Sequence, residues 1–286
     1  MRTLLATVTL VLTLAPGFAR AQDNADPDPN MPPPIAARDS VWIEELTWLE
    51  VRDAIKAGKT IAIVPTGGIE QNGPYVATGK HNYVMQAMSE AIARRLGNAL
   101  VAPIVKFVPE GNIDPPTDHM KFPGTFSVSK ETYEALLADI AGSLRQHGFK
   151  HIVFIGDSGG NVDGMQAVAD KLTAAWKGTP TVHHIREYYE QDIWSYDYLK
   201  SLGIVQKPDI KSSQRGALHD DYHYEAIVAT VDPRHIRIDE RKKAGLASIY
   251  GVSVVPVQKT VANGKKLIEY RVGITVAAIK KALAQP

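Results

Sequence analysis

Cysteine is absent from this chain of 286 residues, which excludes disulfides, thiolate metal ligands and a cysteine nucleophile. No sign of charge dominates. With 32 Lys+Arg against 31 Asp+Glu the formal charge is +1, so no basic field advertises a nucleic-acid partner. A bilayer-spanning run, which needs roughly 20 apolar residues, is missing too. What remains is 44% apolar and 22% charged, with 22 Gly and 18 Pro, the balance of an ordinary globular protein.

The longest apolar run is Leu4 to Leu14, behind Arg2 and ahead of Ala19-Arg20-Ala21. A positive start, a short apolar stretch and an A-x-A site read as a secretory signal peptide over 1–21. The protein is therefore expected to be periplasmic or secreted, with no membrane attachment after cleavage. Residues 22–40 are rich in Pro, Asp and Asn and predict a disordered leader. Residues 41–286 are expected to form one domain.

Within that domain strand and helix signals alternate. Thr47 caps a helix to about Ala57, and Thr60–Val64 is a continuous β-type run. A helix over about 82–96 and a strand over 100–105 follow. The long loop 106–128 holds Asp114-Pro-Pro and Asp118-His119, and a loop of that length inside a domain is usually functional. A helix over 129–147, a strand over 151–155, a helix over 160–176 and a strand over 181–185 continue the pattern. Further on, the signals predict a helix over 222–231, a strand over 252–257 and a terminal helix over 275–284. The alternation predicts an α/β fold, a three-layer α/β/α arrangement with a mostly parallel central sheet. Ligands of such sheets bind beyond the carboxyl ends of the strands, here just after Val64 and Ile155.

The unusual residues stand there. Glu70 and His81 flank a turn-rich loop after the first strand, where a carboxylate and an imidazole can meet. Gly156-Asp157-Ser158-Gly-Gly-Asn161 follows the third strand, with backbone N–H groups at a helix start that can hold an oxyanion. His219-Asp220-Asp221-Tyr222-His223-Tyr224-Glu225 packs five metal-capable side chains into seven residues. On a helix, His219, Asp220 or Asp221, and His223 or Glu225 share neighbouring faces. His119, fixed by the Phe122-Pro-Gly turn, is a further candidate.

The order of these motifs resembles the creatininase family of metal-dependent amidohydrolases. The family's Pro-x-Gly-x-x-Glu-x-His-Gly-Pro-His with a following Gly-x-Asp is matched by Pro65 to Tyr75 and Gly79-Lys-His81. Its His-x-x-Phe-Pro-Gly-Thr loop is matched by His119 to Thr125, and its Asn-Gly-His-Gly-Gly-Asn by Gly156 to Asn161. Its last region, His-Ala-Gly-x-x-Glu-Thr-Ser, corresponds loosely to His219–Glu225. The likeness covers about 45–275.

Residue by residue, the resemblance implies that Glu70 is the first metal ligand and Glu225 the last. Asn72 replaces a ligand His, His81 replaces a bridging Asp, and Ser158 replaces a second His. An imidazole cannot bridge two cations as a carboxylate does, so a dinuclear centre is not expected. The implied site holds one Zn, Mn or Fe ion on Glu70, His81, Asp157 and Glu225. His219 or His223 would be general base, His119 a further catalytic group, and Asn161 with the Gly159–Gly160 amides an oxyanion hole. The implied function is a metal-dependent amidohydrolase acting on a C–N bond, such as a cyclic amide, of a small molecule. A homo-oligomer is expected by the same analogy. Two alternatives stand beside this one. In an SGNH-like esterase, Ser158 would be nucleophile and Asp232-Pro-Arg-His235 would supply its partners. In a non-catalytic family member the same pocket would bind a small ligand.

Overall fold

Continuous apolar runs make buried strands, and the computed structural model of the chain places four of them side by side. The structure describes residues 27–207 and 220–284, and the side chains of 191–194 are left aside. The signal-peptide reading of 1–21 and the candidate His219 lie outside the described residues. Residues 27–34 belong to a small unit of their own, turned at Asp28, whose carbonyl accepts from Met31 N–H at 3.0 Å. From Ile35 onward the chain groups into one unit. The expected leader is therefore shorter at its far end. Arg38 N–H donates to Glu50 Oε1 at 2.5 Å, and Val41 is buried and accepts from Val101 N–H.

The sheet is all parallel, in the order β2-β1-β3-β4, with β1 at Ile61–Thr66, β2 at Ala99–Val101, β3 at His151–Gly156 and β4 at Thr181–His184. Alternate residues feed two cores. Ile61, Ile63, Val153 and Ile155 pack with helices α2 (Lys80–Leu96), α5 (Glu187–Ser201), α6 (Tyr222–Val231) and α8 (Val257–Leu283). Ala62, Val64, Ile152 and Phe154 face helices α3 (Lys130–Gln146) and α4 (Val162–Ala175), and α1 (Trp48–Lys56) packs its partly buried Val51, Ala54 and Ile55 there. The chain is thus the expected three-layer α/β/α fold. The remaining elements are α7 (Ile238–Lys243) and a short hairpin of β5 (Ser248–Ile249) and β6 (Val252–Ser253). Among the described residues no helix is long and apolar enough to cross a membrane.

One consequence of strand order positions the site. The connection after β1 leads outward to β2, and the next one crosses back over β1 to reach β3. The switch point lies between β1 and β3, where Thr66 is paired with Gly156. Their outgoing loops therefore leave side by side, and Asp157 N–H still donates to Thr66 O at 3.1 Å.

Candidate active site

The loop after β1 carries Glu70, 2% exposed, and is pinned by Asn72, whose side-chain amide donates to Glu70 O at 2.9 Å. The first turn of α2 brings His81 over it. His81 Nε2 lies 2.7 Å from Glu70 Oε1, and Nδ1 lies 2.8 Å from Asp157 Oδ2 on the neighbouring loop. The other oxygen of Asp157, Oδ1, accepts from Tyr188 OH and from Arg271 Nη2, each at 3.4 Å. Burial and the adjacent Lys80 oppose charge on His81, but Glu70 and Asp157 outweigh them and raise the ring to about 9. The three expected residues Glu70, His81 and Asp157 are brought together. Yet both imidazole nitrogens are engaged by carboxylates, so the ring keeps no lone pair for a cation.

Two basic residues unnoticed in the sequence close this side. Lys80 is 1% exposed, with Nζ 3.8 Å from Glu70 Oε1 and 5.1 Å from the Tyr224 ring centre. Burial lowers its pKa against the pull of Glu70, Asp157, Asp221 and Glu110. The Arg271 guanidinium, from α8, sits 5.1 Å from the Tyr188 ring and 5.9 Å from that of Tyr224.

The opposite side belongs to the long loop. His119 Nε2 approaches Glu70 Oε2 at 3.3 Å, and its side chain is 18% exposed. Glu110, a residue with no motif to announce it, is 4% exposed beside them. Its Oε2 accepts from Ser158 Oγ at 3.5 Å, whereas Oε1 is buried with no hydrogen-bond partner among the described residues. Burial, and then the Glu70 charge, push the Glu110 carboxyl up to about 9. Donor atoms of Glu70, Glu110 and His119 all lie within 4.8 Å of one another, a grouping able to hold a metal ion. Glycine makes the seat possible. A Cβ on Gly68 would stand 2.2 Å from Glu110 Oε1, and one on Gly160 would stand 2.3 Å from Pro109 O.

The α6 cluster does not join this grouping as expected. Glu225 is fully buried, and its Oε2 accepts from Arg241 Nη2 at 3.0 Å, with Asp220 accepting from the same nitrogen at 3.2 Å. A guanidinium faces its Oε2, and its carboxylate is not among the grouped donor atoms of Glu70, Glu110 and His119. His223 Nδ1 is 2.8 Å from Asp221 Oδ1, and its ring tilts onto Tyr224 at 4.0 Å. Tyr224 in turn meets His81 edge-on at 6.1 Å, so His223 borders the site through that ring. Asn161 spends both amide hydrogens on the fold, donating to Thr66 Oγ1 at 2.9 Å and Gly67 O at 2.8 Å. It therefore ties the two strand-end loops together and has no donor left for an oxyanion. Ser158 has a carboxylate for its described partner. Asp232 is bound to Arg234, and His235 stacks on Tyr83 at 3.8 Å, so the parts of the esterase alternative are committed elsewhere.

A buried cluster of acids and bases at the switch point of a parallel sheet lies where α/β families place their ligand sites. The model of one such family, creatinine amidohydrolase or creatininase, matches residues 44–279, and the chain belongs to the creatininase family. It is 25% identical over 168 residues to creatinine amidohydrolase of Pseudomonas putida, covering 59% of this chain and 62% of that protein. In a separate match, 119 residues are 25% identical to 3-dehydro-scyllo-inosose hydrolase of Thermotoga maritima, 42% of this chain and 36% of that one. The chain thus spans less than two thirds of these relatives. Among solved structures, a mutant creatininase of the Zn-Zn type superposes with a TM-score of 0.62 at 20% identity, covering 87% of this chain and all of that one. A creatininase described with Mn gives 0.61 at 20% identity, over 86% of this chain and all of that one.

Proposed function

We propose that this protein is a metal-dependent hydrolase of the creatininase type, cleaving a C–N bond of a cyclic amide or amide-like small molecule. The observation that carries it is Glu70, a buried carboxylate at the switch point contacted by two imidazoles. Family hydrolases of this fold include zinc- and manganese-containing structures, and Glu70 is the residue on which one Zn, Mn or Fe ion would sit. Bound there, a divalent ion would polarise the substrate carbonyl and lower the pKa of a water towards ~7.

The chain's own residues supply the rest. His81, locked between Glu70 and Asp157, fixes the direction of the Glu70 carboxylate. His219 or His223, the latter with Nδ1 held by Asp221, would carry the proton from water to the leaving nitrogen. Lys80 offsets negative charge that builds at the carbonyl oxygen. The N-terminal 21 residues direct the protein to the periplasm or beyond, and identical subunits associate.

The test is turnover of a panel of cyclic amides and lactams by the full chain and by Glu70→Gln. Chelator-sensitive hydrolysis, lost in the variant, is expected. Hydrolysis indifferent to Glu70→Gln overturns the reading. Loss to a serine-reactive phosphonate instead moves Ser158 forward, and ligand binding without turnover makes the protein a binder.

A further inference from the structure

We infer that the metal seat is a single-ion site formed by Glu70, Glu110 and His119, with two of its three ligands carried by the loop between β2 and α3. His81 and Asp157 are its scaffold and not its ligands. The inference rests on the hydrolase reading above for the use of the ion, and on geometry alone for its place.

Three observations converge. Donor atoms of the three side chains gather within 4.8 Å, and they offer one nitrogen and two carboxylates, a set suited to Zn, Mn or Fe. Glu110, only 4% exposed, has an Oε1 with no donor among the described residues other than the neighbouring carboxyl of Glu70. Two buried carboxyl groups side by side cannot both ionise without repelling, and a cation between them is the partner that relieves it. The seat is also shaped for that carboxylate. Gly68 leaves open the space it fills, and the Glu110 N–H is held by Ser127 Oγ at 2.9 Å, which itself donates to Gly111 O at 2.7 Å. His119, 18% exposed, leaves a way in from solvent.

Beyond Glu70 the described residues offer no second seat. The His81 ring stands between Glu70 and Asp157, and Asp157 is bonded on its far side by Tyr188 and Arg271. Arginine is charged at any working pH, so a fixed organic cation occupies that end of the site. One ion, not two, is the expected content.

The experiment is Mn(II) titration of the metal-free full chain, read by electron paramagnetic resonance and calorimetry. About one equivalent should bind. Glu110→Gln and His119→Ala should each weaken binding by ~100-fold or more, beyond the ~10–100-fold typical of outer-shell losses. Asp157→Asn should keep the one-ion stoichiometry. Should it fail to fold, His81→Gln, which keeps a donor towards Glu70, asks the same question. Two equivalents in the parent, no binding at millimolar Mn(II), or loss in Asp157→Asn with retention in Glu110→Gln would each overturn the inference. These outcomes are separable from failure of the hydrolase reading. One bound ion with no turnover of any amide sinks the function and keeps the site, and chelator-insensitive turnover without bound Mn(II) sinks both the site and metal dependence.

Discussion

Glu70 divides two regions built on different terms. On the His81 side every carboxylate oxygen of Asp157 has a donor, and the groups come from helices and strand ends. On the Glu110 side the groups come from one long loop, and Glu110 Oε1 has no donor among the described residues other than the neighbouring carboxyl of Glu70. A fully satisfied network specifies geometry, and a partly satisfied one is where chemistry or a ligand enters. The first side is scaffold and the second is reactive surface. Mutation of one should cost stability, and mutation of the other should cost function.

The largest effect expected from breaking this contrast is Asp157→Ala. It leaves the Arg271 guanidinium and the His81 ring buried without their shared carboxylate, at a cost of about 3–5 kcal/mol. Glu110→Ala, although equally buried, removes a carboxyl crowded against Glu70 and should leave the metal-free protein as stable as the parent or more so. Denaturant unfolding of both variants checks the pair. Equal losses would dissolve the distinction.

Next comes Gly68→Ala. The new methyl meets Glu110 Oε1 at 2.2 Å, the far end of a side chain and not backbone, so the fold survives and the carboxylate moves. Metal affinity should fall about 10–100-fold, the range seen when ligand orientation is lost. An unchanged affinity would mean that Glu110 is not held in place by this cradle.

A smaller effect tests whether acid sensitivity belongs to the scaffold. His184, on edge strand β4, is lowered to about 4 by burial, with Arg186 adding to it. An unfolded His titrates near ~6.5, so between those values the unfolded chain binds the extra proton. Its contribution is intact above pH ~6.5 and is lost as pH falls towards ~4, a change of roughly 1–3 kcal/mol. His184→Gln should flatten that limb of the stability profile. A limb of undiminished slope would assign acid sensitivity elsewhere.

The same contrast explains what was legible in the sequence. The strands β1 and β3 and helices α1 to α4 announce themselves through apolar runs and caps, as at Thr47, whose hydroxyl accepts from Glu50 N–H. Glu70, His81 and Asp157 were visible because strand ends in a parallel sheet are where polar residues gather. Of helix α8 only the last third is legible, as the terminal helix over 275–284, and the strand expected over 252–257 is the short β6 followed by the start of α8. Gly264 is in fact where α8 approaches α6, since a Cβ there would stand 2.0 Å from Ala226 O. The Arg241 partner of Glu225 is not legible, because spacing along a helix does not reveal a side chain that arrives from α7. Glu110 was invisible for a related reason. Its partners off the loop, Glu70 and Ser158, are 40 and 48 residues away, and its only local signal is the length of the loop that carries it.

Ser127→Ala is the mildest way to separate the two regions, because Ser127 meets a candidate ligand only through that ligand's backbone. Its hydroxyl accepts from the Glu110 N–H and donates to Gly111 O, so removal leaves two partly buried backbone groups unsatisfied. The expected loss is about 1 kcal/mol, or a fall in Tm of about 2–4 °C for a domain of this size. A passive loop would lose only that stability. A loop that presents Glu110 to a cation should also lose part of the rise in Tm that saturating Mn(II) produces, since the apparent gain follows ligand affinity. Paired melts with and without Mn(II) read both quantities. A lower baseline with an undiminished metal-induced rise would return Ser127 to the scaffold and leave the position of Glu110 to Gly68 alone.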